Sequence, residues 1–197
     1  YEVMLSAAER HHTQLVCAGR YDEYEETGES TQGLCPQKEE CVSGTEAVRR
    51  VFHWDRLDSS ACDKLYARQL FDGIRYPVGR VCEDIMVTYR LMLRSGRVAL
   101  LPKPVYHYRH RASSITMSPV SEKNFHYFQN AVRIYEGIKT NTPELYRDSC
   151  KQLRQHFGFV RRSGHFTKRD QFEIAMTARG LFNPMMDVYH IFKKPKA

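Results

Sequence analysis

The sequence has no long hydrophobic run. No apolar stretch approaches the roughly 18 to 20 residues needed to cross a bilayer, which excludes a membrane-spanning helix within it. It also lacks repeats and low-complexity tracts, and its 12% aromatic content is too high for a chain whose main state is disordered. With 197 residues, of which 42% are hydrophobic, the chain is long enough to bury a substantial core.

The six cysteines lack the spacing of a metal-binding or redox motif. There is no CxxC pair, and no Cys/His cluster has zinc-finger spacing. Cys17, Cys62 and Cys82 lie among apolar or helical residues, where a free thiol acts as a small hydrophobic side chain. We therefore expect a reduced compartment rather than a disulfide scaffold, with Cys35 and Cys41 as the pair to check for a disulfide.

Positive charge is concentrated in the later part of the chain. Residues 1–60 hold 6 Lys+Arg against 12 Asp+Glu, whereas residues 61–197 hold 24 against 11. Such a basic region can attract phosphate groups, an anionic membrane surface or nucleic acid. Because no nucleic-acid-binding motif accompanies it and the first part is acidic, we expect no nucleic-acid partner.

Hydrophobic periodicity predicts an α/β region followed by a helical region. In the α/β region we expect helices over 1–12, 45–52, 59–70 and from Gly79 to about Ser95, and strands over 14–18, 98–101 and 105–109. Residues 22–46 are polar and acidic and are interpreted as a surface excursion, with a ragged strand over 19–25. Pro102 and Pro104 are expected to bracket a turn.

The helical region is expected to begin after Ser118–Pro119. Apolar residues at helical spacing predict its first helix, namely Phe125, Phe128, Val132, Tyr135 and Ile138. Thr142 and Pro143 open a second helix that extends to about His156, and two more are predicted over 167–180 and 184–192. We therefore divide the chain into an α/β part, residues 1–118, and a helical extension, residues 119–197.

The most specific segment runs from Cys62 to Thr116. It contains three runs in order: DKLYARQLF at Asp63–Phe71, IRYPVGRVCED at Ile74–Asp84 and RVALLPKPVYHYRHRASSIT at Arg97–Thr116. This order resembles the second half of family 2 glycosyltransferases of the GT-A fold, in which a KLY helix, an "irFp.g…ED" element and a "Y.YR.R..SIT" element follow one another. The resemblance is dense over about 55 residues and extends weakly back to Tyr1.

The resemblance covers only part of the family pattern. The opening strand, the DDGS element and the acidic DxD metal motif of the family do not occur in this sequence. By resemblance, the chain corresponds to the acceptor-side part of a catalytic domain with a helical extension, and the isolated chain is expected to be inactive. The alternative is a non-catalytic interaction or scaffold domain derived from a transferase, and a basic nucleic-acid-binding module is the weaker alternative.

The resemblance implies transfer of a sugar, with inversion, from a nucleotide-diphosphate sugar to a glycan or lipid-linked acceptor. A hydroxyl is a poor nucleophile, so a carboxylate must take its proton as the new bond forms. By resemblance, Asp84 is this base and Glu83 lies beside it at a helix N-terminus, where the helix dipole favours the ionised form. The alternative reading is that both are ordinary first-turn acids.

The leaving diphosphate must be neutralised by a divalent metal, Mg²⁺ or Mn²⁺, or by basic side chains. Arg109 and Arg111 are candidates because Arg-x-Arg on an extended segment places both guanidinium groups on one side, and Ser114 can add a donor. A solvated basic loop is the alternative. His107 is a candidate metal ligand, or a packed histidine.

The acceptor is expected near the start of the predicted KLY helix. There Asp63 and Lys64 could contact the acceptor or the carboxylates, or form a surface ion pair on the helix. Trp54 could stack on a sugar ring, although a packing role is the alternative.

The helical extension combines basic and aromatic residues in a pattern that suits an anionic membrane surface. The residues are Phe157, Phe159, Arg161, Arg162, Phe166, Lys168 and Arg169. Peripheral contact at the cytoplasmic face of a bacterial membrane, during assembly of a cell-envelope polysaccharide, is the expected setting. A solvated helical bundle is the alternative. The sequence does not determine the donor sugar, the acceptor or whether the protein forms a homodimer.

Overall fold

The computed structural model describes residues 1–114 and 122–162, with the side chains of residues 1–114 and 126–156. The chain divides into two compact units, Tyr1–Pro119 and Val120–Ala197. The fold class is mixed α/β, as predicted. None of the helices formed by the described residues is long and apolar enough to cross a bilayer.

The first unit is built on a five-stranded mixed sheet. Its strands are β1 (Leu15–Tyr24), β2 (Ser30–Gln32), β3 (Glu40–Ser43), β4 (Lys64–Tyr66) and β5 (Arg97–His110). The order is β2-β1-β5-β3, and β4 also pairs with β1. β1 and β5 are parallel, and the other pairs are antiparallel. Three helices accompany the sheet: α1 (Glu2–Arg10), α2 (Gly44–His53) and α3 (Asp84–Ser95).

The core lies on both faces of β1 and β5. One face packs on α1, through a cluster of Met4, Ala7, Val16, Ala18, Ala99 and Leu101. Because side chains alternate along a strand, Leu15, Cys17, Val98 and Leu100 point to the other face, where α2 and α3 contact β5. Burial on both faces explains why these strands read as continuous apolar runs.

Helices α2 and α3 form where they were predicted, except that α3 begins at Asp84 rather than near Gly79, since Cys82 has a φ of 59° that a helix cannot include. The hydroxyl of Ser43 accepts a hydrogen bond from the Glu46 amide at 3.1 Å, so Ser43 caps α2. Gly96, with a φ of 68°, ends α3. All six cysteines are free, so Cys35 and Cys41 do not pair.

Gly44 brings the start of α2 against the end of α3. A Cβ at this position would collide with the Met92 carbonyl, and the Gly44 amide donates to the Gly96 carbonyl at 2.8 Å. Gly44→Ala is therefore expected to destabilise the first unit by about 1–3 kcal/mol in urea unfolding. Gly28→Ala is the control: its Cβ would meet open space, so only a smaller loss from its own unfavourable φ of 69° is expected. An equal loss in both variants would refute the close-packing argument.

The predicted helix over 59–70 is wrong, and so is the placement of Asp63 and Lys64 at its start. Lys64–Tyr66 is strand β4, paired antiparallel with Leu15–Cys17, and only Arg68–Phe71 forms a 3₁₀ turn. The segment becomes a strand because β1, almost 50 residues away in sequence, supplies hydrogen-bond partners for the backbone of Lys64–Tyr66. This pairing outweighs the helical spacing of its side chains.

Two further details of the sheet differ from expectation. Pro102 and Pro104 lie inside β5 rather than in a turn: the pairing of β5 with β3 has ended at Leu100, and the register of β5 with β1 shifts around Gly19 and Pro104. The polar excursion over 22–46 also contains β2 and β3, while the ragged strand expected over 19–25 is the second half of β1.

The second unit contains α4 (Glu122–Asn141) and α5 (Tyr146–Arg162), which pack on each other. A 3₁₀ turn over Pro143–Leu145 separates them, and the Thr142 side chain makes no capping hydrogen bond. The helices predicted over 167–180 and 184–192 lie outside the described residues. So do the side chains proposed for membrane contact.

Candidate functional site

The N-terminus of α3 carries the candidate base. Glu83 is the N-cap and Asp84 the first helical residue, as predicted, and both are half-buried. Oδ2 of Asp84 accepts a hydrogen bond from the Ala61 amide at 3.3 Å. Burial raises the pKa of the Asp84 carboxyl above its usual value, and the charge of Glu83 adds to this effect, while the Ala61 hydrogen bond opposes it.

Asp63 and Lys64 form a buried ion pair at the start of β4. The Lys64 side chain is only 1% exposed, and its Nζ lies 2.5 Å from Oδ1 of Asp63 and 3.8 Å from Oδ1 of Asp58. The ammonium group is thus enclosed by protein partners instead of facing an acceptor in solvent.

Arg20 adds a second cation to this network. From β1, its Nη1 pairs with the Asp58 carboxylate and donates to the Ser60 hydroxyl at 3.1 Å. Its Nε donates to Asp22 at 3.2 Å, and its guanidinium lies 5.3 Å from the centre of the Tyr108 ring. Arg20 and Asp58 were not predicted from the sequence. The position of Arg20, directly after the buried run of β1, could have indicated an arginine that needs an acidic partner.

Opposing effects set the pKa values in the network. Burial alone would raise the pKa of Asp58, but the charges of Lys64 and Arg20 outweigh it and hold this pKa below its usual value. Burial dominates at Asp63 and raises its pKa despite the attraction of Lys64. For Lys64, burial is the largest single effect and lowers the pKa, but Asp63, Asp58 and the other groups around the ammonium together outweigh it. The Lys64 pKa is therefore raised, and the side chain stays charged.

An aromatic surface lies near the α3 N-terminus. Tyr76 is 37% exposed and packs on Phe71, with ring centres 6.3 Å apart, and Phe71 packs edge-on against Tyr66. Burial raises the pKa of the Tyr76 phenol, and the charges of Asp84 and Glu83 raise it further. Tyr76 is therefore within electrostatic reach of both carboxylates, a relation that was not predicted.

Trp54, the other candidate for stacking on a sugar, lies elsewhere in the first unit. It is 60% exposed at the C-terminal end of α2, where it adopts a left-handed conformation with a φ of 56°. Within the described part of the chain, no hydrogen bond or ring contact joins it to Asp63, Lys64 or Asp84.

The residues predicted for the diphosphate lie at the end of β5 and just after it. Nε of Arg109 is 3.9 Å from a carboxylate oxygen of Glu23, and Nε of Arg111 is 3.5 Å from Glu25. Arg109 also lines a groove of about 310 Å³ together with Glu23, Glu25 and Glu29. The amide of Ser114 donates to the Arg111 carbonyl at 2.9 Å. Both arginines are exposed and have acidic neighbours.

His107, the candidate metal ligand, lies beside Glu23. Its Nδ1 lies 2.6 Å from Oε1 of Glu23, and its ring packs on Tyr21. Over residues 1–114 and 122–162, no group of three His, Cys, Asp or Glu side chains is arranged to hold a metal ion.

Comparison with known proteins adds no relative. No protein-family model matches the chain, and no curated protein matches it significantly. The resemblance to family 2 glycosyltransferases therefore stays a prediction that depends on the motif order alone.

Proposed function

We propose that the chain is the acceptor-side part of an inverting glycosyltransferase, with Asp84 as the general base. The observation that carries the proposal is the Asp84 carboxylate, which lies half-buried at a helix N-terminus with one oxygen held by the Ala61 amide. A base placed in this way is oriented, and its raised pKa makes it a better proton acceptor than an ordinary aspartate.

The proposed reaction is a single displacement. The acceptor hydroxyl oxygen bonds to the anomeric carbon of the sugar as the bond from that carbon to the diphosphate oxygen breaks. Asp84 takes the hydroxyl proton, and the nucleoside diphosphate leaves with the bonding electrons. Mg²⁺ or Mn²⁺, expected from the resemblance, would neutralise the leaving group when bound.

On the donor side, we propose that Arg109 and Arg111 exchange their glutamate partners for the diphosphate. Exposed ion pairs contribute at most about 1 kcal/mol, so their replacement costs little. A forked guanidinium binds a diphosphate through two parallel hydrogen bonds, which are stronger because both partners are charged.

On the acceptor side, we propose that the exposed part of Tyr76 supports the sugar ring that presents its hydroxyl to Asp84. Tyr76 shares its electrostatic surroundings with both carboxylates, whereas Trp54 has no described contact with this region. The apolar face of a sugar packs on an aromatic ring, and the solvent-exposed phenol hydroxyl can form hydrogen bonds with the hydroxyl groups of the sugar.

Tyr76→Ala in the natural full-length protein is expected to raise the KM for acceptor about tenfold, because loss of a stacked ring removes roughly 1–1.5 kcal/mol of binding. Trp54→Ala is the matched control and is expected to leave KM unchanged. Steady-state kinetics with varied acceptor measure both. A larger KM change in Trp54→Ala would assign the platform to Trp54 instead.

The proposed function is tested with the natural full-length protein and a panel of nucleotide-diphosphate sugars. Release of nucleoside diphosphate is measured with and without a mixture of oligosaccharide and lipid-linked saccharide acceptors. We expect acceptor-dependent release with at least one donor. If no donor gives release above the background without acceptor, the enzyme proposal is rejected in favour of a scaffold domain.

A further inference from the structure

We propose that Lys64 is a positioning residue for Asp84, and that it acts through the loop Asp58–Asp63 rather than by direct contact. This inference rests on the proposed function only in calling Asp84 the base. The arrangement itself is a property of the folded chain.

The loop is held at its centre by side chains from three elements. The Lys64 ammonium group of β4 donates to the Ser60 carbonyl at 2.5 Å, and Arg20 of β1 donates to the Ser60 hydroxyl at 3.1 Å. Thr88 of α3, which is fully buried, donates to the Ser59 carbonyl at 2.9 Å. The Ser60 amide in turn donates to Asp58 at 2.9 Å. Residues 59 and 60 are therefore fixed through both backbone and side chain.

The next residue of the loop makes the contact with the candidate base. The Ala61 amide donates to Oδ2 of Asp84 at 3.3 Å, one residue after the carbonyl that Lys64 holds. The carboxylate is thereby turned so that Oδ1 remains available, since no hydrogen bond to Oδ1 is made within the described part of the chain. An acceptor hydroxyl needs such an oxygen for its proton.

Lys64 also acts on Asp84 through its charge, which lowers the pKa of the carboxyl. Burial, Glu83 and Asp58 each favour the protonated carboxyl, and the Ala61 hydrogen bond and the Lys64 ammonium group favour the ionised form. The Tyr76 phenol is within electrostatic reach of the two carboxylates, and because its pKa is raised above the ordinary value it adds no charge there. Removal of the Lys64 charge should therefore make Asp84 harder to ionise.

The test uses the chain of 197 residues itself and needs no activity. The pKa of Asp84 is measured from its carboxyl ¹³C shift, and exchange of the Ala61 amide is measured by NMR. Lys64→Met is expected to raise the Asp84 pKa and to speed Ala61 exchange by roughly tenfold. Unfolding would instead lower this pKa to the ordinary value of about 3.9, so the sign of the shift separates the two outcomes.

Two matched variants complete the experiment. Lys103→Met removes an equal charge from an exposed position in β5 and is expected to change neither reading. Thr88→Val keeps every charge but frees the Ser59 carbonyl, so it is expected to speed Ala61 exchange and to raise the Asp84 pKa by a smaller step. If Lys64→Met unfolds the chain, Thr88→Val decides the question.

An unchanged Asp84 pKa and unchanged Ala61 exchange in the folded variants would overturn the inference. This failure is distinct from failure of the proposed function, which shows itself as missing sugar transfer by the full-length protein. A positive NMR result with no transfer would leave Lys64 as the residue that orients Asp84 and would remove only the catalytic role.

Discussion

Asp84→Asn in the natural full-length protein is expected to lower kcat by roughly 10²–10⁴-fold, the usual contribution of a positioned general base. Asparagine has nearly the shape of aspartate, and its amide oxygen can still accept the hydrogen bond from Ala61. The fold should therefore persist, which circular dichroism and thermal unfolding would check. Only the ability to take a proton is lost.

Glu83→Gln is the matched control, since it changes the neighbouring carboxylate at the N-cap of the same helix. It is expected to lower kcat much less than Asp84→Asn. In the wild type, kcat should fall as the pH drops through the raised pKa of Asp84, because the base must be ionised. Turnover retained by Asp84→Asn would remove the base assignment, and an equal loss in both variants would make the role of Asp84 structural.

Arg20→Met is expected to destabilise the first unit by about 3–5 kcal/mol at pH 7, because it leaves buried carboxylates without one of their two cations. Asp58 is 6% exposed and would keep only the more distant Lys64. Urea unfolding followed by circular dichroism measures the loss. Arg10→Met is the control, since it breaks an exposed pair with Glu39, and a far smaller change is expected.

The same variant has a predicted pH dependence. The folded pKa of Asp58 is held below its usual value, so its stabilisation is present above the ordinary pKa of about 3.9 and is lost as the pH falls through the folded pKa. The difference between wild type and Arg20→Met should therefore shrink below about pH 4. A difference that stays constant would instead trace the loss to packing of Arg20 on Tyr108.

The elements that were predicted correctly carry their signals locally. Helix α3 has an apolar stripe and a terminal glycine, which predict the helix and its end without knowledge of the sheet, although they place its start near Gly79 instead of at Asp84. Apolar, β-branched runs likewise predict the buried parts of strands β1 and β5. The fold class followed from these signals, whereas the candidate base was identified by resemblance.

The elements that were missed depend on partners distant in sequence. The KLY segment has a helical pattern, but it pairs with β1 and becomes a strand. The charged network joins Arg20, Asp58 and Lys64 from three separate parts of the chain, and no spacing rule connects such residues. These contacts exist only after the sheet has formed.

The central claim is tested most directly by the anomeric configuration of the product. The natural full-length protein is given an active nucleotide-diphosphate sugar and its acceptor, and the product is examined by ¹H NMR. The account predicts a single displacement, so an α-linked donor must give a β-linked product, and a β-linked donor an α-linked product. A product that retains the configuration of the donor would contradict both the displacement and the role of Asp84 as its base.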